Sequence, residues 1–182
     1  MHGDLVRAGE VLILTGPPGS GKTTTARALA AEPGVPKVHL HADDFWHFIG
    51  NGAIAPYLPE AHAQNEVVIG VLANAAERYA SGGYFVILDG ILGPWFLQPF
   101  RNMAVPSHYI VLRPALAAAL QRCRDRGGDT LTDPVQITTL HEQLSSLGDL
   151  ERHVLRTEGH SPAETTREVV KALRSGAFRL LS

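Results

Sequence analysis

Residues 16–23, Gly-Pro-Pro-Gly-Ser-Gly-Lys-Thr, constrain the fold of this chain more than any other stretch. They fit the pattern GxxxxGK[ST] in full, directly after the apolar run 11–14 and directly before a stretch with helical spacing. In that context the glycines let consecutive backbone N–H groups curve around phosphate oxygens, and the helix N-terminus adds partial positive charge. The stretch therefore predicts a strand, a phosphate-binding loop (P-loop) and a helix, with a nucleoside triphosphate as ligand.

The P-loop also predicts which side chains touch the nucleotide. Lys22 would reach the β- and γ-phosphates, and the hydroxyl of Thr23 would bind Mg²⁺. The predicted cofactors are therefore ATP and Mg²⁺. The predicted nucleotide contacts in the loop are Gly16, Gly19, Ser20, Gly21, Lys22, Thr23 and Thr24.

The rest of the chain alternates short apolar runs with stretches of helical spacing. The runs at 38–42, 85–88, 109–112 and 153–156 read as four further strands. Short buried strands separated by helices predict a parallel α/β sheet covered on both faces, here in a single domain over residues 1–182. In such sheets ligands bind beyond the carboxyl ends of the strands. Polar residues that follow the strands should therefore converge beside the P-loop.

Composition excludes several classes of function. The net charge of −2 and pI of about 6.5 give no electrostatic signature of a nucleic-acid or anionic-membrane partner. The one cysteine, Cys123, excludes an internal disulfide and a zinc site built on several thiolates. No signal-peptide pattern and no run of membrane-spanning length is present, so we expect a cytoplasmic protein. The oligomeric state is not readable from the sequence.

P-loops also occur in guanine switches and hydrolytic motors, which the chain does not resemble. None of its four asparagines is followed by lysine, so the Asn-Lys-x-Asp element that reads guanine is missing. Residues 89–92 lack the glycine of a DxxG switch, and Gly90 stands where a motor usually has a second acid. A kinase, which must bind ATP, align an acceptor hydroxyl and exclude water, fits better.

Three acids are candidates for kinase chemistry. Asp89 follows a buried strand and would support Mg²⁺ beside Thr23, directly or through water. Asp43 and Asp44 follow the second strand, and either could act as base toward the acceptor hydroxyl. Turn or capping roles are the alternative for all three.

Two arginines are candidates for contact with the transferring phosphoryl group. Arg122 and Arg126 are four residues apart and therefore share one helix face, whereas Arg124 faces roughly the opposite way. A solvated helix face is the alternative interpretation for each of them.

With these residues placed, the chain resembles the small P-loop kinases that phosphorylate metabolites or antibiotics. The nearest likenesses are the chloramphenicol phosphotransferase-like proteins and the gluconate and shikimate kinase group. The likeness rests on GPPGSGKTT, HADDFW, VILDGILG and LRP–RCRDRGGD, followed by a last strand and a capped helix.

This resemblance implies a P-loop NTPase three-layer α/β sandwich, with a five-stranded parallel sheet of order 2-3-1-4-5 and a lid at about 122–134. It further implies that Asp43 is the base, that Asp44 holds Mg²⁺ waters or caps the next turn, and that Thr157 lies near the adenine. The acceptor-binding motifs of true shikimate or gluconate kinases are missing, so neither substrate is carried over.

These features together favour an ATP- and Mg²⁺-dependent phosphotransferase acting on a hydroxyl of a small molecule. A nucleotide-binding regulatory protein with slow ATP hydrolysis and a nucleoside kinase are the alternatives. The segment after Asp44 is rich in aromatic residues, which favour a flat or amphipathic acceptor if they line the pocket. These residues are Phe45, Trp46, Phe48, Tyr57 and Trp95.

Overall fold

A computed structural model describes residues 6–126 and 131–181, and it contains a five-stranded sheet of order β2-β3-β1-β4-β5. Each neighbouring pair of strands is parallel. The predicted strand order is therefore confirmed. The strands are β1 (Val11–Thr15), β2 (Lys37–His41), β3 (Phe85–Gly90), β4 (Ser107–Arg113) and β5 (Val154–Arg156).

Helices connect the strands and cover both faces of the sheet. Three short 3₁₀ turns lie at Pro59–Ala61, Pro94–Phe96 and Gly148–His153. The α-helices are α1 (Lys22–Ala31), α2 (Ala42–His47), α3 (His62–Ser81), α4 (Gln98–Arg101), α5 (Leu116–Arg126), α6 (Pro134–Gln143) and α7 (Pro162–Ser175).

Two hydrophobic cores lie on the two faces of this sheet. Every residue of β1, β3 and β4 is buried, as expected of strands covered on both sides. On one face Leu72 of α3 packs with Ile13 and Val111, and on the other Leu29 of α1 packs with Val169 of α7. The three-layer sandwich is thus built by alternate residues of the same strands.

Local sequence signals explain where the later helices begin. Asp133 accepts a hydrogen bond from the backbone N–H of Val135, which caps α6. Ser161 and Glu164 form a capping box at the start of α7.

Apolar residues recur at helical spacing at Ile137, Leu140, Leu144 and Leu147, but helix α6 does not reach the last two of them. It ends at Gln143, so Leu144 and Leu147 are buried beyond its last turn rather than on the helix. Two side chains stabilise the non-helical backbone after Gln143. The Leu144 carbonyl accepts a hydrogen bond from Arg113 Nε at 2.8 Å, and the Leu147 N–H donates one to the carboxylate of Glu151 at 3.3 Å. These tertiary bonds replace the contacts that a longer helix would make.

The region of the predicted lid is partly described. Helix α5 continues through Arg126, so the first part of residues 122–134 is helical. Residues 127–130 of that prediction lie outside the described residues. No helix in the described part of the chain is both long and apolar enough to cross a membrane.

Candidate active site

The P-loop depends on glycine at two positions with positive φ, one of which is also closely packed. Gly19 has a φ of 75°, and a Cβ atom there would collide with the backbone carbonyl oxygen of Ala119 in α5. Gly21 has a φ of 87° and precedes α1 in the left-handed conformation, with open space around it. Only glycine adopts such angles without strain, so the loop geometry follows directly from the motif.

Lys22 is partly buried at the first position of α1, where its Nζ donates to the Pro17 carbonyl at 3.4 Å. Burial lowers the pKa of Lys22, the negative charges of Asp43 and Asp89 act to raise it, and the charge of Arg126 lowers it further. Asp43, Asp89 and Arg126 therefore each lie within electrostatic reach of Lys22.

Asp89 lies at the end of β3 with no exposed surface and accepts three hydrogen bonds. Its Oδ2 accepts from Thr23 Oγ1 at 2.5 Å, and its Oδ1 lies 2.6 Å from His39 Nε2 and 3.1 Å from His41 Nδ1. Burial acts to raise the pKa of Asp89, but the bonds from Thr23, His39 and His41 outweigh it and lower the pKa. Asp89 is therefore held as a carboxylate beside the P-loop.

The donors beside the P-loop suit Mg²⁺. Thr23 and Asp89 offer hydroxyl and carboxylate oxygens, the hard ligands that Mg²⁺ prefers. Within residues 6–126 and 131–181, no group of three or more His, Cys, Asp or Glu residues is arranged to hold a metal ion. Mg²⁺ commonly binds through one or two protein groups together with substrate phosphates and water, so this donor set fits the predicted cofactor.

The acid pair lies in the first turn of α2, where the helix dipole favours negative charge. Both side chains are exposed. Asp43 Oδ2 lies 3.6 Å from His41 Nε2, and the charge of Asp43 acts on Lys22. The described contacts thus bring Asp43, rather than Asp44, towards the P-loop. The roles of Asp43 as base and of Asp44 at the metal remain predictions.

The two arginines of α5 lie on its P-loop side. Arg122 Nη1 is 3.3 Å from the carbonyl oxygen of Gly19, and Arg126 is close enough to influence Lys22. Arg124 instead donates to Gln121 Oε1 at 2.9 Å on an exposed face. The predicted separation of faces is present in the structure, and the phosphate contacts stay predicted.

Thr157 directly follows β5 and is buried. Its N–H donates to the Arg113 carbonyl at 3.3 Å, and its hydroxyl has no hydrogen-bond partner in the part of the chain that the structure describes. Its predicted position near the adenine is untested by these contacts.

The aromatic residues after Asp44 divide into two groups. Trp46 packs against the core, and its Nε1 donates to Asn65 Oδ1 of α3 at 2.8 Å, so it joins α2 to α3. Phe48 and Tyr57, in contrast, are each 75% exposed, and Trp95 is 51% exposed. Trp46 is structural, whereas the exposed rings are available for contact with a ligand.

The sequence interpretation missed His39 and His41. They alternate along β2 and so point to one face, and the register places His41 beside Asp89. The alternation His-x-His before the acid pair was the available signal. Arg113, also at a strand end, is not at the site, because it is buried and bonded to Glu151 and Leu144.

The sequence of this chain matches a protein-family model and two kinases of known name. A family model described as AAA domain matches residues 11–150. A putative adenylate kinase of Pyrococcus furiosus is 30% identical over 173 residues, which cover 93% of this chain and 87% of that protein. A cytidylate kinase of Pyrobaculum aerophilum is 29% identical over 142 residues, 74% of this chain and 70% of that protein.

Solved structures show the same fold. A gluconokinase from Sinorhizobium meliloti matches with a TM-score of 0.67 and 18% identity over 94% of this chain and 95% of its own. At 18% identity this match supports the fold alone. Membership of the family rests on the family model and on the Pyrococcus furiosus relative. The chain belongs to the AAA domain family of P-loop kinases.

Proposed function

We propose that the protein transfers the γ-phosphoryl group of ATP to a hydroxyl of a small molecule. The observation that carries this proposal is an exposed carboxylate, Asp43, which follows β2 at the same edge of the sheet and acts electrostatically on the P-loop lysine, Lys22. A hydrolytic motor usually has its second acid directly after the strand-end aspartate, where this chain has Gly90, and not on a separate helix as Asp43 is. A kinase needs one to orient and deprotonate an acceptor hydroxyl.

The transfer step assigns a role to each group. Asp43 accepts the proton of the acceptor hydroxyl, whose oxygen forms a bond to the γ-phosphorus while the bond to the β–γ bridging oxygen breaks and ADP leaves. Lys22, Arg122 and Arg126 balance the charge on the transferring group. Mg²⁺, held by Thr23 and Asp89, would neutralise charge on the β- and γ-phosphates.

Two further predicted residues complete the proposed site. Asp44, exposed beside Asp43 in the first turn of α2, would hold waters of the Mg²⁺ ion. Thr157, at the end of β5, would lie against the adenine side of the nucleotide.

A nucleoside monophosphate kinase is the second candidate, because both curated relatives described above carry such names. Charge argues against it in this chain. Residues 42–77, which form α2, the following connection and most of α3, contain no lysine or arginine. A phosphate on the acceptor would need such cations, arginine above all. The proposed acceptor is therefore uncharged.

An apolar groove beside α2 supports the same conclusion. It has a volume of about 380 Å³ and lies between α2 and α3. Its walls are formed chiefly by Phe45, Phe48, Ile49, Val67, Val68 and Val71. Because α2 carries Asp43 in its first turn and Phe45 and Phe48 further along, an acceptor could place a hydroxyl near Asp43 and an apolar body against the groove.

The test is ADP release over a panel of acceptors in matched pairs. Each nucleoside is assayed beside its 5′-monophosphate, each polyol beside its carboxylate, and aromatic hydroxyl compounds of the antibiotic type are included. We expect stimulation by uncharged members only. Turnover with the monophosphates would favour the second candidate, and a flat response would favour a regulatory protein with slow ATP hydrolysis.

A further inference from the structure

The imidazole of His41 spans two carboxylates that the proposed function uses. Its Nδ1 lies 3.1 Å from Asp89 Oδ1, and its Nε2 lies 3.6 Å from Asp43 Oδ2. Asp89 has no exposed surface, His41 is one-third exposed and Asp43 is more than half exposed. One ring therefore connects a buried acid to an exposed one.

The backbone explains why such a connection matters. His41 ends β2 and immediately precedes α2, so its backbone is held by the sheet, whereas Asp43 is in a six-residue helix at the surface. An exposed aspartate samples several rotamers, and a base that must meet a hydroxyl in line gains from losing that freedom. Among the described contacts, His41 is the side chain that connects Asp43 to the sheet.

His39 shows what a histidine without this second arm would do. It lies on the same face of β2, and its Nε2 is 2.6 Å from the same Oδ1 of Asp89. Among the described contacts it faces no second acid. His39 therefore supports Asp89 alone, and His41 has a contact beyond that support.

We propose that His41 is a positioning residue that aligns Asp43 with the nucleotide site by bridging it to Asp89. The Asp43 half of this inference rests on the proposed function, in which Asp43 is the base. The Asp89 half concerns the binding of Mg-ATP and stands without any acceptor. No direct contact of His41 with a substrate is required.

Two amide substitutions separate the two arms of the ring. An asparagine at position 41 places its amide near the site of Nδ1, and a glutamine places its amide near the site of Nε2. His41→Asn should keep the bond to Asp89, whereas His41→Gln should keep the contact with Asp43. Each variant is measured for ATP affinity with Mg²⁺ and with EDTA by calorimetry, and for kcat and KM with an accepted substrate.

For His41→Asn we expect kcat to fall by about 10–100-fold, the usual effect of a lost supporting contact, with the acceptor KM and the Mg²⁺-dependent ATP affinity retained. For His41→Gln we expect the Mg²⁺-dependent gain in ATP affinity to fall while more of kcat is kept. His39→Asn, which withdraws the Nε2 contact with Asp89, should lower that affinity gain only. His62→Asn, exposed on α3, serves as the matched surface control.

A double-mutant cycle tests whether His41 acts through Asp43. His41→Asn combined with Asp43→Asn should lose no more activity than Asp43→Asn alone. Additive losses, or equal losses in both amide variants together with a lowered unfolding temperature, would overturn the proposal in favour of a purely structural histidine. If no acceptor is phosphorylated, the Asp43 half fails together with the proposed function, and the calorimetric difference between the two variants still decides the Asp89 half.

Discussion

Thr23 Oγ1 donates a hydrogen bond to Oδ2 of Asp89 over 2.5 Å, although the two residues are 66 positions apart in the chain. The bond ties the residue after the P-loop lysine to the end of the neighbouring strand β3. It thereby fixes the position of a buried carboxylate relative to the nucleotide site.

Substitution of Asp89 by asparagine should weaken the binding of Mg-ATP selectively. The amide keeps the volume but removes the negative charge that three hydrogen bonds stabilise. We expect the Mg²⁺-dependent part of ATP affinity to fall about 10–100-fold, with little change in EDTA. Calorimetric titration measures both, with the exposed Glu66→Gln as control. Equal losses with and without Mg²⁺ would indicate damage to the P-loop instead.

Replacement of Lys22 by alanine should abolish turnover. Its ammonium is the cation at the centre of the P-loop, and removal of one such preorganised group costs on the order of 10²–10³ in kcat. ADP release measures the loss, and Lys171→Ala, on the surface of α7, is the control. Retention of turnover in the Lys22 variant would contradict the placement of the γ-phosphate.

Asparagine substitutions within the acid pair should separate the base from its neighbour. Asp43→Asn should lose about 10²–10⁴ in kcat while it keeps its affinity for ATP, because a general base acts only in the transfer step. Asp44→Asn should lose less. Transfer rates and ATP affinity are measured for both variants. A fully active Asp43 variant beside an inactive Asp44 variant would reverse the assignment.

Alanine at Gly19 should be more harmful than alanine at Gly21. Both positions have positive φ, which costs an alanine about 1–2 kcal/mol. At Gly19 the added Cβ would also collide with the carbonyl of Ala119, so α5 must shift away from the loop. Chemical denaturation should therefore show a larger loss in the free energy of unfolding for Gly19→Ala. Equal losses of unfolding free energy in the two variants would show that α5 moves away from Gly19 without destabilising the fold.

Glu151 makes stability depend on pH in a narrow acidic range. Hydrogen bonds from the buried Arg113, opposed by partial burial, lower the pKa of Glu151 from 4.5 to about 2. A depressed carboxyl pKa contributes stability that is present above the unfolded value and disappears as pH falls towards the folded one. Glu151→Gln should lower the unfolding temperature at neutral pH, and the difference from wild type should shrink between pH 4.5 and 2. A difference that is constant across that range would contradict the pairing.

The sequence was sufficient for the P-loop and for a parallel α/β sheet, because local patterns determine both, whereas the strand order followed from the resemblance to small P-loop kinases. A complete GxxxxGK[ST] motif needs no distant partner, and buried runs such as 11–14 need only their own composition. The faces of Arg122 and Arg124 likewise followed from helical spacing, as their different contacts show.

Long-range contacts were beyond that reasoning. The bonds of His39 and His41 to Asp89 depend on the register between β2 and β3, and a shift of one residue would turn both rings to the other face. The end of α6 depends in the same way on Arg113, which is 31 positions away from Leu144. Neither relationship has a local signal strong enough to predict the partner.

The connection between α2 and α3 is closed by two amide side chains. Gln64 bonds to both backbone groups of Ile54, and Asn65 joins Trp46 to the carbonyl of Pro56. Because these bonds hold the segment, the exposed Phe48 and Val67 of the groove carry little of its stability. Under the proposed function, such a division would make the acceptor preference readily evolvable, because mutations at the groove would change the choice of substrate while the fold and the P-loop edge stay intact.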